Sequence, residues 1–458
     1  MKIGWIYKAI QLGWVIAFTT STLASTKKVS HADHSSQRFK WNAVVGSEFH
    51  GFLRTSQYRD NWYGQFDLSL KTQYEWEKWE YRSEIKGYVL NKDVVSSFTP
   101  DLPYGFIGTT ERLSKKHRIR FGRSSNYWSV SDTFWNQGLY EGRFTWDPLQ
   151  SQNQGHIGIH YRYRTKNFSL RAMFSPISIP ERGMPVKSEN GILVSPGPWF
   201  IQPVDGTILN GKFLPAFYDL QYPSIADTLF RPGGAIKASL GSRNGFWGST
   251  TYGYLPVNQV DLAARIEVPP QENYVLAEVH PTFHYHHLFT GEAGYRWKTG
   301  DLWVSGTREI PIETPVPSQW IRTPLRNTTL LSAGTRVQWM RDLSMGMSFL
   351  YVNEDPYVVP LTEQDFNLQL PGRHPYLRAF HIKGAWSAAS NLQFNASWLF
   401  DTEYSNGVVS LNALWSPPNF RKVNVQVGTD LIRGETNSGW LGQTLGNDRF
   451  YGRVSYVF

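Results

Sequence analysis

Arg118 and Arg120 alternate with Ile119 and Phe121, and further on His156, His160, Arg162 and Arg164 alternate with Ile157, Ile159, Tyr161 and Tyr163. Successive side chains of an extended chain point to opposite faces, so each segment has one basic and one apolar face. Arg171 shares the basic orientation on the next segment, and Arg82 and Lys86 lie on an earlier one. Segments adjacent in sequence usually pair, so these cations would form one wall that attracts anions in a salt-dependent way. The alternative is that they only solvate a wet interior. Between the basic segments runs Ser124–Gly142, which carries Asp132, Glu141, Trp128 and Trp135. Carboxylates opposite arginines would set a transverse field. The two indoles would either stack on sugar rings or form a cluster that fixes the loop.

Other chemistry is poorly supported. His280, His284 and His286 would share a face of one extended segment, the last two roughly 7 Å apart, but no carboxylate at ligand spacing completes a metal site, so we expect none. There is no cysteine, no G-x-S-x-G, no H-E-x-x-H and no phosphate-binding loop. The carboxylates Glu48, Glu84, Asp261 and Glu292 are too scattered to pair as acid and base. These observations predict neither an enzyme nor a cofactor. Basic residues that alternate with apolar ones make no continuous patch, which argues against a nucleic-acid partner.

The elements that must position these residues have period two almost throughout, from about residue 38 onward. Tyr81, Ser83, Ile85, Gly87 and Val89 oppose Arg82, Glu84 and Lys86, and the clearest alternation of all is Val260–Val268. The segments run to about nine to fourteen residues, longer than a typical strand. Trp62 and Trp76 fall on one face of one segment, roughly 46 Å apart along it and roughly 35 Å apart along a membrane normal at a 40° tilt. That is the separation of two interfacial aromatic belts.

Tight turns near 77–78, 115–116, 165–167, 243–245, 299–301, 341–342, 390–391 and 416–419 alternate with longer loops at 125–155, 176–232, 310–328, 354–375 and 434–446. The largest, 176–232, holds nine of the chain's 26 prolines and is expected to be a lid, an inward plug or a subunit latch. The reading is all-β: a transmembrane antiparallel up-and-down β-barrel of about 18–20 strands. The weakest windows are 104–114 and 301–309. An even count, which two ends on the same side require, is reached by admitting 259–268 as a wall strand.

No stretch beyond the N-terminus approaches a membrane helix. Lys2 and Lys8 flank an apolar run, Ala9–Leu23, that ends in small residues, so 1–24 reads as a secretory signal peptide, with an uncleaved anchor as the alternative. Residues 25–37 are polar and read as a flexible lead-in, and 38–458 as the barrel domain. The formal charge of +9 falls by two with Lys2 and Lys8, too diffuse an excess to name a partner.

The last strand adds a resemblance. Phe458, Tyr456, Val454 and Phe450 alternate up to a terminal aromatic, similar to the C-terminal strand signal of Gram-negative outer-membrane β-barrel proteins. The resemblance implies a cell outer membrane location, lipid and lipopolysaccharide as surroundings, and the barrel-insertion machinery as a partner that reads Phe458 and Tyr456. The stretch Arg118-Ile119-Arg120-Phe121-Gly122-Arg123 resembles the F-G-R stretch of porins and of alginate-export-type barrels, which implies an arginine near the pore constriction and passage of anionic or sugar-like solutes. In trimeric porins the third long-side loop folds inward, and here the third is 125–155. The resemblance therefore points to a porin-like channel for passive or facilitated diffusion, with exopolysaccharide export and a barrel-anchored surface enzyme or adhesin as alternatives.

Overall fold

A computed structural model describes residues 38–458 except 54–61, 92–97, 202, 204, 243, 323–324, 355–357, 362–365, 370–372, 421 and 436–438. The signal peptide and lead-in lie outside the described residues. Eighteen strands form one sheet: β1 Arg38–Phe52, β2 Trp62–Trp76, β3 Trp79–Asn91, β4 Phe98–Thr109, β5 His117–Ser124, β6 His156–Arg164, β7 Phe168–Ile177, β8 Gly233–Gly241, β9 Gly245–Pro256, β10 Tyr285–Trp297, β11 Gly300–Ile312, β12 Thr328–Met340, β13 Leu343–Val352, β14 Arg378–Ala389, β15 Leu392–Asp401, β16 Asn406–Trp415, β17 Val423–Arg433 and β18 Arg449–Val457. Each pairs antiparallel with the next. β18 returns to β1, from Val44 opposite Val457 to Phe52 opposite Arg449, so the wall is closed and has no edge.

The alternation decides which face turns outward. Along β2, Tyr63, Gln65, Asp67 and Ser69 are buried inside while Trp62, Leu68 and Leu70 stand exposed outside. The same holds round the ring: Ile85, Phe289, Leu331, Val427, Phe450, Val454 and Tyr456 are exposed, whereas Glu84, Lys237, Glu292, Ser332 and Ser348 are buried. An apolar belt of this extent around a polar interior is stable only against hydrocarbon, and closure satisfies the backbone groups that lipid cannot.

The strand number falls at the lower end of expectation. The window 301–309 lies inside β11, and 104–114 supplies the last part of β4, which stops at Thr109. The strongest alternation was misplaced. Asp261–Glu267 is not in the wall but in a five-stranded sheet on the long-loop side, with Gly206–Leu209, Lys212–Leu220, Val275–Thr282 and Ile321–Arg322. Its Ala263 is buried while Leu262 and Ile266 are exposed, a two-sided pattern like that of a membrane strand. The pairing of 212–220 with 275–282 is parallel, which an up-and-down barrel does not contain. The even count therefore holds without 259–268.

Candidate functional site

The third long-side loop, 125–155, folds into the barrel and carries a short helix, α1 (Val130–Trp135). Ser129 caps its start by accepting the Asp132 N–H, and Asn136 ends it in the left-handed region at φ 50°. Anchors from both sides of the lumen hold it. The Val130 N–H donates to Glu292 on β10 at 2.6 Å, and Lys237 on β8 donates to Glu292 at 3.0 Å and to the Trp128 carbonyl at 2.7 Å. Ser332 on β12 meets Ser131 at 2.7 Å, and the Trp135 indole donates to Ser348 on β13 at 3.0 Å. Lys383 on β14 donates to the Phe134 carbonyl at 2.8 Å. On the return leg Asp147 accepts from Arg449 on β18 at 2.6 Å.

This geometry corrects several expectations. Trp128 and Trp135 are only 2% and 4% exposed and fix the loop, and of the two only Trp135 also lines the cavity beside it. Asp132 accepts the Leu139 and Tyr140 N–H groups at 3.1 and 3.3 Å, and Glu141 accepts the Ser125 hydroxyl and the Asn126 N–H, both at 2.5 Å. Both carboxylates staple the loop to itself. His156 donates Nε2–H to the Tyr140 carbonyl at 2.6 Å, and His160 bonds Asn126 at 2.8 Å, so both lie beneath the loop rather than on an open wall.

Arg118, Arg120, Arg162, Arg164 and Arg171 do face inward, but Arg118 and Arg120 occupy the short-turn half of β5, away from α1. Arg118 pairs with Glu111 at 2.5 Å; Arg120 approaches Glu80 at 3.8 Å and lies 4.4 Å over Phe106. Arg171 donates to the Tyr127 carbonyl at 3.0 Å. At Gly122 the chain takes φ 117°, where a Cβ would come within 2.4 Å of the Gly105 carbonyl oxygen. That kink brings Arg123, which strict alternation would point at lipid, into a buried position holding the Gly155 and Leu102 carbonyls at 2.9 and 2.7 Å and Gln154 at 2.6 Å.

Burial pushes the Glu141 carboxyl up to about 8, against hydrogen bonds from Ser125, Asn126 and Trp128 that pull it down. A carboxyl raised in the folded state contributes its stability in full below the ordinary carboxylate range and loses it as pH rises through about 8. The third loop is therefore expected to loosen between pH 6 and pH 9, seen as greater open-channel noise. Glu141→Gln should remove the difference, and wild-type noise equal at the two pH values would contradict the assignment.

The open passage runs beside α1. A cavity of about 1150 Å³ separates Phe134 and Trp135 from the inward residues of β14, β15 and β16. Lys383 lies beside Ser397, its register partner on β15, and Asn395, Ser410 and Asn412 continue the same wall. Arg296, Asp301 and Arg336 lie toward the short turns, and Arg143 and Glu181 toward the long loops. Arg336 pairs with Asp301 at 2.6 Å and Arg143 with Glu181 at 2.8 Å. Lys383, 4.7 Å over the Phe134 ring, and Arg296, 4.7 Å over the Trp247 ring, have no carboxylate partner among the described residues. Apart from Trp135, none of these passage residues was singled out from the sequence. Their signal was an inward alternate position, which dozens of other residues share.

The long loop 178–232 divides its tasks. Part of it builds the outer five-stranded sheet, while Pro198 accepts from Asn447 at 2.9 Å, the Trp199 ring lies 5.4 Å from Arg449, and Ile201 lines the cavity. The histidine run is split between two elements. His280 belongs to the outer sheet, beside Trp320; His284 lies between strands, 3.4 Å from Asp261; His286 is on β10, bonded to Glu309 at 2.5 Å. Among the described residues no group of three His, Cys, Asp or Glu side chains is placed to hold a metal ion.

A closed 18-stranded antiparallel barrel, apolar outside and polar inside, with its third loop folded into the lumen, has the architecture of transmembrane β-barrels of the outer-membrane type. No protein-family model matches the sequence, and no curated protein matches it. Among solved structures the chain is similar to OccAB4 of Acinetobacter baumannii, with TM-score 0.49 and 10% identity over 92% of this chain and 99% of that one. It is also similar to OccK5 (OpdH) of Pseudomonas aeruginosa, with TM-score 0.49 and 8% identity over 92% and 97% of the two chains. For OmpF of Salmonella typhi the values are 0.41 and 11%, over 94% and 99%.

Proposed function

We propose that this barrel is an outer-membrane channel for passive or facilitated diffusion of small anionic or sugar-like solutes. The observation that carries the reading is the passage beside α1, where Lys383 and Arg296 meet the solute without a neutralising carboxylate among the described residues. Water-filled passages with cations of this kind concentrate anions, and the low-dielectric wall strengthens the effect. Beside Lys383 on the same wall, the amides of Asn395 and Asn412 and the hydroxyls of Ser397 and Ser410 offer both donors and acceptors, suited to hydroxyl groups on a solute. A solute enters among the long loops, slides between α1 and β14–β16, and leaves at the short-turn end down its gradient. Lipid and lipopolysaccharide cover the outer belt, and the barrel-insertion machinery acts on β18 with its outward Tyr456 and terminal Phe458.

Reversal potentials in planar bilayers under a potassium chloride gradient test this reading. The expected result is preference for chloride, reduced roughly two- to threefold in Lys383→Gln/Arg296→Gln. Absence of conductance, or a preference for potassium in the wild type, would sink it.

A further inference from the structure

At the short-turn end of the lumen, between the turns that follow β6 and β8, lies a second cavity of about 240 Å³. Arg162, Arg164, Lys166, Arg171 and Arg296 line it, and no aspartate or glutamate does. Several other cations of the inner wall are matched by acids: Arg82 with Glu80 at 2.8 Å, Arg118 with Glu111 at 2.5 Å, Arg336 with Asp301 at 2.6 Å and Arg453 with Asp67 at 2.6 Å. Here they are not. Arg171 donates only to the Tyr127 carbonyl, Arg296 lies against the Trp247 ring, and the side chains of Arg162, Arg164 and Lys166 have no hydrogen bond or ion pair among the described residues. Five like charges are thus gathered round a volume of roughly eight waters.

The strand register imposes this crowding. Arg162 pairs across with Arg171, and Arg171 with Lys237, whose own charge is taken up by Glu292. Neighbouring inward positions on β6 and β7 therefore bring cations to one corner, which Arg296 joins from β10, with β8 and β9 between. Solvation alone would require no such clustering, since like charges placed together repel and give up stability. A ligand that restores neutrality would have to carry several negative charges within a few ångströms, because a monovalent ion offsets only one cation. Planar guanidinium groups suit oxyanions, which they grip through paired N–H donors.

We propose that this cavity is a binding site for a small multivalent oxyanion, bearing phosphoryl or clustered carboxylate groups, which is held at the short-turn mouth of the pore. The proposal deepens and rests on the anion-channel reading. Arg296 lines both cavities, so an anion leaving the main passage crosses to the site without losing its cationic partner.

Isothermal titration of the full folded barrel in detergent micelles tests the site without requiring conduction. Inorganic pyrophosphate, citrate and acetate are the probes, compared at equal ionic strength. Pyrophosphate or citrate is expected to bind at one site at least tenfold more tightly than acetate. The tighter of the two identifies the group as phosphoryl or carboxylate. Arg164→Ser/Lys166→Ser should weaken that binding at least tenfold, with folding checked by heat-modifiable gel mobility; if that variant does not fold, Arg296→Ser takes its place. Multivalent probes that bind no better than acetate, or a folded variant that binds like the wild type, overturn the proposal. Binding without conductance leaves the site standing and removes the channel reading, whereas conductance without binding removes the site alone.

Discussion

Replacing Arg449 with methionine is expected to lower the unfolding free energy of the barrel by about 3–5 kcal/mol, because it strands the buried Asp430 and the part-buried Asp147. Arg449 is fully buried on β18, donating to Asp430 on β17 at 2.7 Å and to Asp147 of the third loop at 2.6 Å, with His50 of β1 at 3.4 Å. Three consecutive wall strands and the return leg of the loop thus converge on one guanidinium. Methionine fills much of the volume but returns nothing to Asp147 and Asp430, whose desolvation stays uncompensated. Lysine keeps the charge but loses the fork that reaches both acids, so Arg449→Lys should recover only part of the loss. Urea titration of the barrel in vesicles, followed by tryptophan fluorescence, measures this. A midpoint in Arg449→Met within experimental error of the wild type would show that the guanidinium is no clamp.

Glu292→Ala should have a comparable effect on stability, about 3–5 kcal/mol, and a larger one on conduction. Glu292 accepts from the Val130 N–H at the start of α1, from Lys237 at 3.0 Å and from Ser249 at 2.9 Å. Its removal leaves Lys237 buried without a counter-charge and frees the first turn of α1 from the wall. The helix forms one side of the passage, so open-channel current should rise and become noisier. Glu292→Met/Lys237→Met removes both charges together and should regain most of the stability but not the quiet current, because the Val130 anchor is still missing. If the single variant conducted as quietly as the wild type, α1 would be held by its other anchors and the assignment to Glu292 would fail.

Much of the architecture was legible because a membrane barrel writes its two solvents into alternate residues. Trp62 and Trp76 are the first and last residues of β2, and the short turns fell where the alternating segments broke. Alternation, however, reports that a strand has two unlike sides, not what lies against them. The outer-sheet strand Asp261–Glu267 alternates as cleanly as any wall strand, and only its partners distinguish it.

The site was harder for a related reason. Trp128, Asp132, Trp135 and Glu141 were conspicuous in the sequence, but their roles depend on partners such as Ser348 and on a loop folding back on itself, neither of which spacing reveals. The cations of the passage sit on β10, β12 and β14, far along the chain from the arginines of β5 and β6 that drew attention. They become neighbours of α1 only when the ring is complete.

The contact between Arg449 and His50 joins residues 399 positions apart. Loops that long close slowly, and contacts that depend on them form late. Asp147 can find Arg449 only after β18 has docked between β17 and β1, so the third loop receives its last tether at the moment the wall seals. The order of assembly is thereby built into the permeation path. A barrel still open at its seam lacks the bond that finishes its own aperture, and the pore acquires its working width only as a completed cylinder.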